Sequence, residues 1–449
     1  MKKPSHYRHA LMARIQARSA RVAVVGLGYV GLPLAIEFAR AGFRVCGVDT
    51  DPQKVKAIRA GRSYIRDVAS REVAAAVASG ALRATADFGI LRAMDALSIC
   101  VPTPLSKTKD PDLSYVIASV EAVARYVRPG MLIVLESTTY PGTTDEIVIP
   151  RLLGNGLRAG RDVFVAFSPE RLDPGRADFV LKNTPKVIGG ATPACLAVAS
   201  ALYRTIVDRL VPVSSAAAAE MVKLLENTFR AVNIALANEF LMICGKLNLD
   251  GWEVIEAAAT KPYGFMKFLP GPGVGGHCIP LDPQYLQWKL RTVNYNARFI
   301  QLASEINAAM PEYWVMRVAK ALNQDGRSLR GRRILVLGVT YKPDVADIRE
   351  SPALDIIRLL AAWGARVRFH DPFVRSLGPR WPAAAAARLT PAELAAADCV
   401  VIVTHHSSYD WEWIARHARR IVDTRNVLAR KGVSGRRAPS GAPRPRHGR

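Results

Sequence analysis

Six cysteines are spread along 449 residues, and no two of them form a C-x-x-C pair. That spacing leaves a zinc ribbon and a thioredoxin-type dithiol without support, and no other metal-ligand cluster is apparent. Long apolar runs are missing too: the best stretch, 231 to 244, is broken by Asn233, Asn238 and Glu239, so no membrane span is expected. The basic N-terminus lacks the apolar core of a secretory signal, which makes the cytoplasm the expected location. Gly and Pro, 32 and 29 residues, are too few for collagen-like or low-complexity sequence. Against these absences, 50% of the residues are hydrophobic and 22% charged, the balance of a folded protein of two or three domains.

Acids are scarce relative to bases, and the net charge is +24. Thirteen of those charges sit at the two ends, on Lys2, Lys3, Arg8, Arg14, Arg18 and Arg21, and on Arg430, Lys431, Arg436, Arg437, Arg444, Arg446 and Arg449. Segment 431–449, rich in Gly, Pro, Ser and Arg, reads as a disordered basic tail. With no recognition helix and no aromatic-basic platform, nucleic acid is not an expected partner.

Strand-like apolar runs at 21–26, 44–48, 96–101, 131–135 and 163–167 alternate with helical stretches, which argues for a parallel, doubly wound sheet. From Ser214 the chain turns Ala-rich and helical to about Gly245, and helical character returns over 299–322. After a polar linker, 323–333, the first pattern recurs with strands at 333–338, 366–369, 399–404 and 420–423. The expected fold is α/β, with two Rossmann-like doubly wound domains joined by a central helical segment.

Gly26-Leu-Gly28-Tyr29-Val30-Gly31 follows the first strand and opens a helix, and Asp49 ends the second strand 23 residues after Gly26. Such glycines let the backbone approach a pyrophosphate at a helix N-terminus, and an acid about 20 residues on binds the ribose hydroxyls. That acid repels a 2′-phosphate, so NAD is expected rather than NADP, with Lys54 partly offsetting it. Segment 271–282 carries Gly271, Gly273, Gly275 and Gly276 ahead of Cys278, with Asp282 four residues further on. A cysteine in a rigid glycine loop beside a cofactor domain reads as a nucleophile, and Asp282 as a holder of water or a proton. The plainer alternative is a buried cysteine in a turn with His277 beside it. Glu220, Lys223 and Asn227 lie on one helix, with Lys223 and Asn227 on one face, able to hydrogen-bond a developing oxyanion. Glu170, just past the 163–167 strand, is a candidate acid or base, or else an exposed loop carboxylate. The hydroxyl-rich stretch from Glu136 to Thr144 offers groups to a cofactor or a water.

Taken in order, Gly26 to Gly31, Val101-Pro102-Thr103-Pro104, Ser137-Thr138, Ser168-Pro-Glu170, Glu220 to Asn227, Gly275-Gly-His-Cys278 and Tyr341 to Pro352 resemble the UDP-glucose/GDP-mannose dehydrogenase family over nearly the whole chain. Within it, Lys261 to Phe265, Pro270 to Gly273 and Gly276 to Pro280 are similar to the UDP-N-acetylglucosamine 6-dehydrogenase branch. Pro174 and Leu281 stand where the UDP-glucose branch usually has an acid and a lysine.

The resemblance implies a four-electron oxidation of a UDP-sugar C6 alcohol to the acid with two NAD, feeding surface polysaccharide synthesis. It implies that Cys278 attacks the intermediate aldehyde, and that Lys223 and Asn227 face the oxyanion. Asp282 and Thr138 would hold the water, and Glu170 would act at the thioester step. Around the cofactor it places Pro102, Thr103, Ser137, Thr138 and Arg349, besides the glycine turn. Against the UDP-sugar it places Glu170, Arg171 and Leu172, then Lys223 and Asn227, the loop glycines Gly271, Gly273 and Gly275, and Tyr341, Lys342 and Arg425. The implied organisation is a basic extension 1–20, an NAD-binding domain 21–213, a central helical domain 214–322 that dimerises, a UDP-sugar-binding domain 323–430 and the tail. A homodimer or higher homo-oligomer is the expected assembly. UDP-glucose oxidation, and a catalytically silent nucleotide-sugar or nucleic-acid binder, remain the competing readings.

Overall fold

A computed structural model describes residues 4–433 apart from 66, 107–109, 155, 174–177, 277, 379–380 and 382–383. The tail expected beyond 431 therefore lies, from 434 on, outside the described residues. Two compact units emerge, Met1–Glu226 with Gln284–Tyr295, and Asn227–Pro283 with Asn296–Arg449.

The first unit holds eight strands: β1 Arg21–Val25, β2 Arg44–Val48, β3 Leu82–Thr85, β4 Ala96–Ile99, β5 Leu132–Leu135, β6 Phe164–Phe167, β7 Lys186–Gly190 and β8 Leu210–Val213. Their order across the sheet is β3-β2-β1-β4-β5-β6-β7-β8. All neighbours run parallel except β6 and β7. The four central strands are apolar runs because both faces are covered. Val22, Val24, Leu132 and Val134 face one core, and Ala23, Val25, Ile133 and Leu135 the other. The strand order reverses between β1 and β4, and ligands of open α/β sheets bind at the carboxyl ends of strands at such a point.

The basic N-terminal stretch expected as an extension carries a helix. Pro4–Gln16 is a helix whose Leu11 and Ile15 are buried in the first core, while Arg14 pairs with the buried Asp95. Tyr7, Leu11 and Ile15 recur at the four-residue spacing of one helix face, which the basic residues between them obscure in the sequence.

In the second unit, β9 Arg333–Leu337, β10 Arg366–His370, β11 Ala384–Ala386, β12 Cys399–Ile402 and β13 Ile421–Asp423 form a parallel sheet in the order β11-β10-β9-β12-β13. This repeats the order of the first five strands of the first sheet. The helices Ala216–Lys246 and Arg298–Asn323 supply the central segment.

Candidate active site

In the first unit the turn after β1 is closed by backbone. Gly26 has φ +88°, and a Cβ there would lie 2.6 Å from the Cys100 carbonyl oxygen; a Cβ on Gly31 would lie 1.8 Å from that of Gly26. Gly28 is the opposite case, since a Cβ there meets nothing within 4 Å. The helix Gly31–Arg40 begins at this turn with no side-chain cap, Val30 being its N-cap and Tyr29 exposed. At the end of β2, Asp49 accepts the Leu27 N–H (2.8 Å) and Lys54 Nζ (3.1 Å) on one oxygen and the Asp51 N–H (2.9 Å) on the other. Lys54 thus pairs with the acid it was expected to offset. An open glycine, an uncapped helix head and an anchored carboxylate fit a pyrophosphate and an adenosine ribose. Tyr64, which carried no motif signal, hydrogen-bonds the Leu27 carbonyl (2.6 Å) and braces the turn.

The other segments sit at the carboxyl ends of β4, β5 and β6. Pro102 is exposed and Thr103 half-buried after β4. After β5, Ser137 Oγ donates to the Val101 carbonyl (2.7 Å), and Thr138 is half-buried. The loop that follows is tied down by fully buried Glu220, which accepts the Gly142 N–H (2.6 Å) and the Thr144 N–H and Oγ (2.9 and 2.7 Å). Burial pushes this carboxyl up to about 7, against those hydrogen bonds. One turn further along the same helix, Lys223 is 7% exposed, and its ammonium makes no hydrogen bond or ion pair with any described residue. After β6, Glu170 Oε1 accepts the N–H groups of Arg171 and Leu172, both at 2.7 Å. The Arg171 guanidinium itself pairs with Glu226 (2.6 Å) and the Pro185 carbonyl. Pro174 falls outside the described residues.

In the second unit Cys278 is exposed, whereas the other five cysteines are buried across the molecule. Its carbonyl accepts the N–H of Leu281 (3.2 Å) and Asp282 (2.9 Å), opening the helix Asp282–Arg291. The Asp282 carboxylate accepts a hydrogen bond from Asn227 Nδ2, so these two buried residues and the cysteine turn form one cluster. His277 lies outside the described residues. The glycine loop is fixed at Gly271, whose N–H goes to buried Asn238 (2.8 Å) and whose carbonyl accepts Trp314 Nε1 (3.0 Å). Neither partner was singled out from sequence. Cβ atoms on Gly271, Gly275 and Gly276 would meet Arg425 Nη1 at 2.5 Å, the Glu350 carbonyl at 2.5 Å and the Tyr341 ring at 2.7 Å. Gly273, at φ +127°, lies against Pro352. The loop therefore runs flush against the turn carrying Tyr341 and Lys342 and against Arg425, whose Nε donates to the Val403 carbonyl (3.0 Å). The Arg349 guanidinium, expected at the cofactor, is engaged by Asp347 through Nε and Nη2.

Three family profiles match in chain order: the NAD-binding domain of the UDP-glucose/GDP-mannose dehydrogenase family over residues 20–207, its central domain over 217–309 and its UDP-binding domain over 335–430. A UDP-N-acetyl-D-mannosamine dehydrogenase from Pyrococcus horikoshii is 38% identical over 416 residues, 91% of this chain and 96% of the relative. The chain belongs to the UDP-glucose/GDP-mannose dehydrogenase family. A UDP-N-acetyl-D-glucosamine 6-dehydrogenase from Pseudomonas aeruginosa is 36% identical over 359 residues, covering 80% of this chain and 84% of that one. The solved structure of the Pyrococcus horikoshii UDP-D-ManNAc dehydrogenase superposes with a TM-score of 0.84 at 37% identity, covering 94% and 99% of the two chains. Like its family, this dehydrogenase oxidises a nucleotide-sugar with NAD, and its second sheet belongs to a UDP-binding domain. Among its described residues no helix is long and apolar enough to cross a membrane.

Proposed function

We propose that this dehydrogenase oxidises C6 of a UDP-2-acetamido sugar, UDP-N-acetylglucosamine, to the uronate, through a thiohemiacetal and a thioester on Cys278. Loss of a hydride and a proton turns the C6 alcohol into an aldehyde. The Cys278 thiolate adds to it, the thiohemiacetal loses a second hydride to become a thioester, and water releases the acid and the free thiol. The glycine turn and Asp49 would hold NAD, which would supply the hydride acceptor for both oxidations. Lys223 and Asn227 stabilise the oxyanion, Asp282 and Thr138 hold the water, and Glu170 moves its proton. Ser137, Pro102, Thr103 and Arg349 contribute to the cofactor side. Arg171, Leu172, the loop glycines, Tyr341, Lys342 and Arg425 hold the UDP-sugar.

The observation that carries this reading is the exposed Cys278 at the end of a backbone-packed glycine loop, in one cluster with Asp282 and Asn227. The unpartnered, nearly buried Lys223 supports the oxyanion role. A division into an NAD-binding part 21–213, a central helical part 214–322 and a UDP-sugar-binding part 323–430 goes with it, supported by the profile boundaries. Exposed Leu225, Phe229, Leu236 and Phe240 on the long helix support a homodimer through that helix.

A second reading, UDP-N-acetylmannosamine, is favoured by the 38% identity to the mannosamine enzyme over 91% of the chain. Incubation with UDP-GlcNAc, UDP-ManNAc and UDP-glucose, counting NADH and weighing the product, decides. Two NADH per N-acetylglucosaminuronate supports the first reading. The mannosamine product alone establishes the second, and turnover of UDP-glucose alone overturns both.

A further inference from the structure

We propose that Lys186 is a positioning residue for Glu170, holding the second oxygen of its carboxylate, Oε2, in place for proton transfer; this rests on the reading of Glu170 as the proton-moving group. Lys186 is 3% exposed, an unusual place for an ammonium. It arrives there because β7 is the one strand that runs against its neighbour. Its first residue consequently lies at the edge where β4, β5 and β6 end, beside the segments that carry the candidate site.

At that edge one ammonium meets two carboxylates. Lys186 Nζ is 2.8 Å from Glu136 Oε2, 3.4 Å from the Pro169 carbonyl and 3.6 Å from Glu170 Oε2. A purely structural pair would need only Glu136. The second oxygen of that carboxylate accepts the Tyr203 hydroxyl, which is itself 2.9 Å from Ser98 Oγ, so Glu136 is provided for on both sides. Glu170 is not. Its Oε1 is pinned by two backbone N–H groups, while Oε2 is buried with no hydrogen-bond partner. A buried carboxylate oxygen without a donor is costly unless a cation stands close by, and among the described residues Lys186 is the cation paired with it. The carboxyl cannot swing away, because Oε1 is held. Oε2 is therefore the oxygen left to take a proton, with an ammonium behind it that favours giving the proton back. The carboxylates of this lysine keep it charged despite burial, which alone would lower its affinity for a proton.

The test compares Glu136→Gln with Lys186→Met/Glu136→Gln, which differ only in the lysine and avoid leaving Glu136 buried without its cation. The readout is the infrared band of the protonated Glu170 carboxyl, assigned by its loss in Glu170→Gln, titrated on the whole protein. The inference expects the midpoint to rise by about 1 to 3 pH units when Lys186 is removed. It also expects turnover to drop roughly tenfold or more with KM little changed, and Lys186→Arg to restore most of both. An unmoved midpoint, or a double variant with the turnover of Glu136→Gln, overturns it. Glu170→Gln separates the two claims. If that variant keeps wild-type turnover, the reading of Glu170 fails; if it loses turnover while the lysine variants leave the midpoint in place, only the role of Lys186 fails.

Discussion

The turn after β1 contains two glycines that a methyl group should tell apart. At Gly28 a Cβ meets nothing within 4 Å and φ is not in the left-handed region, so Gly28→Ala fits the fold. Fewer unfolded conformations should even stabilise it by about 0.4 to 1 kcal/mol. At Gly31 a Cβ falls 1.8 Å from a backbone carbonyl oxygen that cannot yield without moving the turn, so Gly31→Ala should cost upward of about 3 kcal/mol. Ligand binding reverses the ranking of wild type and Gly28→Ala. NAD at a hundred times its Kd stabilises the wild type by about 2.7 kcal/mol, which for a unit of this size is a rise in melting temperature of roughly 5 to 10 °C. In Gly28→Ala the methyl occupies the space left over the turn for the pyrophosphate, and most of that rise should vanish. Thermal melts of the three proteins with and without NAD, paired with calorimetric titration, measure both effects. A Gly28→Ala protein that melts normally and binds NAD within about twofold of wild type would show that the pyrophosphate does not lie over this turn. A Gly31→Ala protein that melts like wild type would refute the closeness of the two backbone segments.

Four shorter predictions address other groups. Asp49→Ala should relax the preference for NAD over NADP, seen as a converging ratio of kcat/KM for the two cofactors; an unchanged ratio removes Asp49 from the ribose site. Lys223→Ala should lower kcat about a hundredfold to a thousandfold while a UDP-sugar still binds, because a donor aimed at a developing oxyanion acts in the transition state; a variant that keeps most of its rate places the lysine outside the chemistry. Cys278→Ser should accumulate a sugar-ester adduct visible by intact-protein mass spectrometry and Cys278→Ala should form none, so two NADH per product from the alanine variant at near wild-type rate ends the covalent route. Glu220, raised by burial to about 7, binds a proton more tightly folded than unfolded, so the stability of its neutral form is full below about pH 4.5 and declines as pH rises toward 7; Glu220→Gln should flatten that decline in denaturation midpoints, and an identical pH profile would count against the raised value.

The sheet centres were legible because strands buried on both faces must be apolar throughout, as in Leu132–Leu135 and Phe164–Phe167. The strands that escaped notice are β3, β7, β8 and β11. They are short, and they hold Arg83 or Pro212, begin at Lys186 and end in two glycines, or consist of alanines alone, and their pairing is set by neighbours distant in sequence. The candidate site divides along the same line. Gly26, Asp49 and Cys278 announce themselves through spacing, since the backbone geometry of a phosphate turn or an exposed thiol loop restricts which residues can stand there. The groups that hold them do not: Asn238 and Trp314 reach Gly271 from 33 and 43 residues away, and Lys186 reaches Glu136 across 50. Such contacts have no local pattern, because any polar side chain at the right point of the fold can make them.

The two sheets carry the same turn with different outcomes, and the difference bears on what each domain binds. Gly338 follows β9 as Gly26 follows β1, with φ +79° and a Cβ position 2.2 Å from the Thr404 carbonyl oxygen. Asp371 ends β10 as Asp49 ends β2, and each accepts the N–H of the residue after its glycine, Val339 at 2.7 Å and Leu27 at 2.8 Å. The copies then part. Where the first turn has Gly28, the second has Thr340, and where the first helix starts at Gly31 the second starts only at Pro352. Fully buried His406 fills the remaining place. Its Nδ1 accepts the Asp344 N–H (3.0 Å), so the ring proton is on Nε2 and is donated to Asp371 (2.9 Å). Burial would raise the Asp371 carboxyl, but the His406 hydrogen bond and the Val339 N–H hold it below its ordinary value. The carboxylate that would anchor a ribose thus carries a buried imidazole that Asp49 does not have, and the open glycine that would admit a pyrophosphate is gone. A domain with this framework keeps the sheet edge but not the dinucleotide turn, so a nucleotide at the second sheet must be held by side chains instead. That requirement fits the UDP-binding profile over 335–430 and the proposal that Tyr341, Lys342 and Arg425 do the holding.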